Sequence, residues 1–461
     1  MTQTHDLFVL RQQLMVGGGS VEEEPEREGE QIAQYHRRLR HWHCNMSNGK
    51  ASNTKWLYDS PINSDVEAKL RQFLIQPNNA NRILGIQVCA YKDGQVIIDT
   101  AAGVLGKDDP RPVQPDTLFP VFSVTKAVTA GMIHWLADKG KLKLDENVAN
   151  IWPEFGANGK DKIKVNHILN HTSGLHNALA GISETDQKLY YDFNECIKRI
   201  AMLAPETEPG RVQLYHYMSF GWLCGGIIEH ASGKKFQDVL EEAIVRPLNV
   251  EGELYIGIPP GVESRLATLT IDAEDLILLD PEHDIYKSTS YASTLPSSYT
   301  FNMVSNLIPL SNTLNARQAI QPAANGHFSA RAVARYYAAL VDGGIVPPRH
   351  NTSEEVKVNT KLFTGSKEKI HDALLGRGDY KDLVVPNGKF GLGVGRFNAK
   401  DGSIIGFGHP GLGGSSAYCD INNRFAIGVS VNKLSIGVMT GQIIKFVCSE
   451  LGFPVPDLYD H

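Results

Sequence analysis

Ser123-Val124-Thr125-Lys126 places a hydroxyl and an amine three positions apart in the chain. On a helix that spacing puts both groups on one face, within hydrogen-bonding reach. A serine hydroxyl is a poor nucleophile until a base takes its proton, and a lysine serves when its charge is suppressed. If the tetrad opens its helix, the Ser123 amide points outward and becomes a donor for a developing oxyanion. The same spacing recurs at Ser47/Lys50, Ser52/Lys55, Ser232/Lys235, Ser366/Lys369 and Ser430/Lys433, so a surface pair is the ordinary meaning of the pattern. Context separates the first. It follows the apolar run Leu118-Phe119-Pro120-Val121-Phe122 and precedes Val128, Met132, Trp135 and Leu136, which mark one face of a strongly amphipathic helix ending near Gly140. That is a strand-to-helix corner, where nucleophiles are commonly presented.

The elements around this corner follow from local pattern. Ser64 and Glu67 form a capping box, and Val66, Leu70, Phe73 and Leu74 give the helix behind it an apolar face. Residues 86–90 and 96–99 flank Asp93-Gly94, a dipeptide suited to a tight hairpin turn. Residues 220–232 and 329–340 read as helices, the second stopped by Gly343-Gly344. Residues 266–325 lack a clear period and read as a long excursion over the surface. Near the C-terminus, 416–420 and 425–431 read as strands joined by Asn422-Asn423, with a last helix at about 441–451. Strands at both ends with helices between them imply one sheet built from distant segments, beside a helical lobe.

Bulk properties narrow the class. With 461 residues, 42% hydrophobic, the chain has enough material for a large core. A net charge of −6 gives no electrostatic reason to expect nucleic acid as a partner. Six scattered cysteines with no C-x-x-C pair read as reduced thiols, not as a disulfide framework or zinc site. No apolar run approaches the ~18 residues of a membrane span, and no secretory or transit signal is visible. The expected address is therefore intracellular and cytoplasmic, with an organelle open if a segment precedes this one. The sequons at Asn45, Asn170 and Asn351 then read as chance matches. Residues 1–60 read as a linker or peripheral segment, Glu-rich between Glu22 and Glu30. Its basic patch of His36, Arg37, Arg38, Arg40, His41, His43 and Cys44 reads as a polar helix face, since no second ligand cluster accompanies it to make a metal site. The absence of G-x-S-x-G, H-E-x-x-H and G-x-x-x-x-G-K-[ST] removes the usual hydrolase, zincin and nucleotide alternatives.

Several ordered motifs together resemble the serine β-lactamase-related family, which holds class C β-lactamases, penicillin-binding proteins and family VIII esterases. They are FSVTKAVTAGMIHWLADKGKLKLDENVANIW (122–152), ILNHTSGL (168–175), PGRVQLYHYMSFGWLCGGIIEHASGKKF (209–236), RPLNV (246–250), FGLGVG (390–395) and GHPGLGGSSAYCDINNRFAIGVSVNK (408–433). The similarity spans about residues 80–450 and is greatest to the domain found behind UbiB-like kinases in plant proteins, which implies association with such a kinase segment.

The resemblance implies an α/β fold: an antiparallel sheet flanked by terminal helices, with an inserted, mostly helical lobe and the active site between. The expected division is a sheet lobe at about 80–122 and 385–461, and a helical lobe at about 123–384, within a domain of residues 61–461. It implies Ser123 as nucleophile with Lys126 beside it. Tyr215 takes the place of the Tyr of the family's Y-x-N motif, because Gly221 then keeps its usual distance, and Tyr217 is the alternative. A tyrosine near two positive groups would act as base and then acid, since cations favour its phenolate. The family's Lys-Thr-Gly is replaced by His409-Pro410-Gly411. His409 would share a hydrogen bond with Tyr215 or orient substrate, and titrates near neutrality when unperturbed. Gly411 would let a ligand approach the backbone, and the Leu412 amide would be the second oxyanion donor. Tyr217, Gly411 and Leu412 are thus the expected substrate contacts. His171 and Ser173 are structural in the family. The activity implied is hydrolysis of a small ester or amide through an acyl-enzyme, with no metal or organic cofactor. A peptidase, an acyltransferase, or an idle domain used for binding or assembly are the rival readings.

Overall fold

A computed structural model describes residues 56–348 and 360–460. The Glu-rich stretch, the basic patch at 36–44, Ser47/Lys50, Ser52/Lys55, Cys44 and the sequons at Asn45 and Asn351 lie outside the described residues. Asp93 and Gly94, both at positive φ, turn β1 (Gly85–Lys92) into β2 (Gln95–Gly103) as the dipeptide predicts. A small sheet joins β3 (Phe119–Pro120), β4 (Leu254–Ile256) and β5 (Gly326–Phe328), with β5 in the middle. Four strands follow late in the chain: β6 (Gly395–Asn398), β7 (Ile404–Pro410), β8 (Ser416–Asp420) and β9 (Phe425–Val431). The main sheet runs β2-β1-β9-β8-β7-β6, every pair antiparallel. Early and late segments of the described chain therefore meet at β1 and β9.

Helix α1 (Asp65–Ile75) lies on one face of this sheet, where Leu70 and Leu74 join the core formed by Ile86, Val88 and Ile427. Its cap differs from the expected box: Ser64 Oγ accepts from the Glu67 amide, but the Glu67 carboxylate accepts from the amide of Asn63, one residue earlier. The remaining helices that matter here are α2 (Thr125–Asp138), α3 (Ser219–Ser232), α4 (Phe301–Leu310), α5 (Ala330–Val341) and α6 (Val438–Leu451). Ile443, Ile444 and Val447 of α6 share the core of α1, so terminal helices flank the sheet. Helix α5 covers the opposite face, against β1, β9 and β8. Buried on both sides, β9 reads as the continuous run FAIGVSV.

Two expectations fail for physical reasons. Helix α2 is not amphipathic: eleven of its fourteen residues are buried, because α3, the helical segment 236–245 and β7 pack around it and Tyr336 of α5 reaches its backbone. A helix buried all round carries no polar stripe. Its Gly131 is required by α5, since a Cβ there would stand 2.1 Å from the Tyr336 hydroxyl, which donates to the Ala127 carbonyl at 2.8 Å. Residues 266–325 are not a surface excursion either. They form Ala273–Leu278, Asp284–Lys287, α4 and Leu314–Gln318, and bury Leu279, Met303, Val304 and Leu307. Elements this short show too few turns for a period to register. Among the described residues, no helix is long and apolar enough to cross a membrane.

Candidate active site

Ser123 stands at the corner between β3 and α2, one residue ahead of the N-cap Val124. Phe122, just before it, takes φ +46°, a strained value for a bulky residue. The strain is held by neighbours. Thr125 donates twice to the Phe122 carbonyl, from its amide at 3.0 Å and its hydroxyl at 2.5 Å, and that hydroxyl accepts from the Gly326 amide at 2.8 Å. The corner thereby aims the Ser123 side chain into the adjoining cavity.

Lys126, on the first turn of α2, is fully buried. Its Nζ lies 3.1 Å from Ser123 Oγ, 2.8 Å from the Tyr217 carbonyl and 2.9 Å from the Ala323 carbonyl. Desolvation holds its pKa well below the ordinary lysine value, and no carboxylate is among its polar contacts to offset it. An ammonium offers three donors and no acceptor, whereas the neutral amine offers two N–H groups and one lone pair. Two carbonyls and the Ser123 hydroxyl oxygen can take all three N–H groups of the ammonium; once burial has driven off the proton, the carbonyls hold the two remaining N–H groups and the lone pair faces the Ser123 hydroxyl. Gly221 explains how Ala323 comes so near, since a Cβ there would stand 2.4 Å from the Ala323 amide.

The segment carrying Tyr215 and Tyr217 is held by the His-Thr-Ser-Gly loop. His171, at φ +64°, accepts from the Leu214 amide through its carbonyl and from the His216 amide through Nδ1. Ser173 Oγ pairs with His216 Nε2 at 2.7 Å. Both residues are therefore structural, as expected, and the Asn170 side chain is spent on Leu383 and Thr172. The Tyr215 hydroxyl is hydrogen-bonded to Ser123, and its ring stacks on Phe390 at 5.4 Å with the planes 6° apart. Burial pushes its pKa up. Burial therefore keeps it a phenol, against the expected phenolate. Tyr217 acts here through its backbone: its carbonyl holds Lys126, while its hydroxyl donates to Ser298 O at 3.3 Å.

His409 is the penultimate residue of β7, and its ring centroid lies 6.0 Å from that of Tyr215. The expected hydrogen bond between them is not formed. Nδ1 donates instead to the Pro410 carbonyl at 2.8 Å, and Nε2 has no partner among the described residues. Burial depresses its pKa to about 3, so it does not titrate near neutrality. Gly411 lines the cavity and permits a second close approach: a Cβ there would stand 2.3 Å from the Val121 carbonyl, two residues ahead of the nucleophile. The amides of Ser123 and Leu412 donate to no protein acceptor among the described residues, which leaves both for a ligand. Of the other described Ser/Lys pairs, Ser366 is a helix cap that accepts from the Lys369 amide.

Ser123, Tyr215, Tyr217, His409, Gly411 and Leu412 all line one cavity of ≈ 200 Å³, and no charged side chain lines it. Sequence reasoning missed two parts of this arrangement: the Ala323 carbonyl, a backbone group with no side-chain signature, and the wall contributed by residues 279–307.

The Beta-lactamase family profile matches residues 69–440, and the chain belongs to that family of serine hydrolases. It is 30% identical over 358 residues to the "Esterase/beta-lactamase LipL" of Mycobacterium tuberculosis, covering 77% of this chain and 78% of that protein. Among solved structures it is similar to a family VIII carboxylesterase (TM-score 0.66, 24% identity, 85% of this chain and 99% of the other). It is also similar to a penicillin-binding protein homologue from Caulobacter crescentus (TM-score 0.62, 28% identity, 83% and 94%).

Proposed function

We propose that this enzyme hydrolyses small neutral esters through an acyl-enzyme on Ser123. The observation that carries the reading is the contact set of Lys126, whose buried Nζ has two carbonyls and Ser123 Oγ around it. Ser123 Oγ attacks the ester carbonyl carbon as its proton passes to Lys126 Nζ. The tetrahedral oxyanion accepts from the amides of Ser123 and Leu412. The proton then moves through the Tyr215 hydroxyl to the leaving alcohol oxygen, and the C–O bond breaks. Water repeats the sequence on the acyl-enzyme, releasing the acid and restoring Ser123. His409, neutral and anchored to Pro410, shapes the cavity wall and supplies no cation for an anionic substrate. Its relative LipL, named an esterase/beta-lactamase, supports ester hydrolysis as one activity of this fold. A UbiB-like kinase segment as partner and a cytoplasmic address belong to the same proposal and rest on the sequence motifs. The test is labelling with a fluorophosphonate probe: the expected result is one adduct, on Ser123, absent from Ser123→Ala. A folded protein that takes no label overturns the reading in favour of a binding role.

A further inference from the structure

Resting on that assignment of Ser123, we propose that residues 273–310 form a fixed roof that selects esters with an apolar acyl chain longer than acetyl. The roof is a wall of the Ser123 cavity, to which Leu279, Leu295, Met303 and Leu307 all contribute. Met303 and Leu307 stand one turn apart on α4, whose first turn is capped by Thr300, so they present one continuous apolar strip.

Beside Tyr215 the cavity holds several further tyrosines, and three of them have hydroxyls spent within the protein. Tyr217 donates to Ser298 O, Tyr286 to the Tyr299 hydroxyl at 3.2 Å, and Tyr459 pairs with Ser416 at 2.5 Å. What these residues show to a ligand is ring surface. With no charged side chain in the lining, a substrate carboxylate or ammonium would lose its water and gain no counter-ion. The roof is tied to the catalytic segment: the Tyr215 amide donates to Thr294 O at 2.7 Å, and Ser298 Oγ donates to Asn177 at 2.6 Å.

The acyl part is assigned to this enclosed side because it must stay bound through both chemical steps, whereas the alcohol leaves after the first. An acetyl methyl leaves most of the strip without a partner. Each further methylene buried against it raises kcat/KM by about fourfold until the roof is filled.

The experiment uses the full chain and p-nitrophenyl acetate, butyrate and octanoate, in which the leaving group is constant. The expected result is that kcat/KM for butyrate exceeds that for acetate by about fifteenfold. Met303→Trp and the milder Met303→Phe fill the strip and lower the octanoate-to-acetate ratio by about tenfold or more, while Ile277→Ser, on the exposed outer surface of the roof, leaves the ratio as in the wild type. Acetate turned over as fast as butyrate, or a ratio that neither Met303 variant moves, overturns the roof and leaves the serine-hydrolase reading standing. Turnover of no ester, with no label on Ser123, overturns both.

Discussion

Replacing Lys126 by Ala removes the side-chain amine at Ser123 Oγ and leaves the Tyr217 and Ala323 carbonyls without this donor. Loss of a general base typically lowers the rate by about two to four powers of ten. Each orphaned buried carbonyl costs about 1–3 kcal/mol, so the fold loses about 2–6 kcal/mol, offset by no longer burying a group that prefers water. That is within the ~5–15 kcal/mol stability of ordinary domains, so the variant folds with a lowered Tm. Lys126→Met keeps most of the stem's packing and separates the two effects. The assay is kcat/KM for p-nitrophenyl butyrate, measured well below the Tm of each variant. Ethylamine added to Lys126→Ala restores part of the rate in proportion to its free base, since the vacated space and both carbonyls accept a small neutral amine. A folded Lys126→Met enzyme with wild-type rate would refute the assignment of the base.

Acylation depends on the neutral amine, so kcat/KM falls on the acid side as Lys126 protonates, and His409→Gln leaves that limb in place because His409 is already neutral down to about 3; a limb that moves with His409 contradicts the reading. Esters are preferred over a chromogenic cephalosporin, whose carboxylate meets no cation in the cavity; equal kcat/KM on one preparation would count against it. Gly411→Ala pushes the β7 end off the Val121 carbonyl and lowers kcat/KM by about a hundredfold by displacing the Leu412 amide, in line with loss of one oxyanion donor; unchanged kinetics would place that donor elsewhere. His216 and His327 are fully buried with pKa depressed from 6.5 to about 3, so the stability they contribute is complete above pH 6.5 and is lost as pH falls toward 3. At pH 5 each costs about 2 kcal/mol, which urea denaturation reads as a lowered midpoint relative to pH 7, and an unmoved midpoint contradicts it.

Much of the nucleophile's setting was legible because it is local. The Ser123/Lys126 spacing, the Asp93-Gly94 turn and the apolar run into the corner each depend on neighbours in sequence. The order of motifs carried the fold, including the flanking of the sheet by terminal helices. What stayed hidden is set by distant packing. The carbonyls that fix Lys126 carry no sequence signal, and helix α2 lost its stripe by being buried all round. The protonation of Tyr215 and His409 also escaped, because an expected charge depends on burial that no motif records. The roof was missed for a different reason: its helices are short, and their apolar residues line a cavity as well as a core.

Trapping the acyl-enzyme tests the central claim most directly. The full chain is mixed with p-nitrophenyl butyrate, quenched in acid during turnover, and read by intact mass and peptide mapping. The predicted result is one butyryl group, on Ser123, which persists longest in variants that acylate but slow deacylation, and is absent from Ser123→Ala. A turning-over enzyme that carries no adduct, an adduct on another residue, or wild-type hydrolysis by Ser123→Ala would contradict the account.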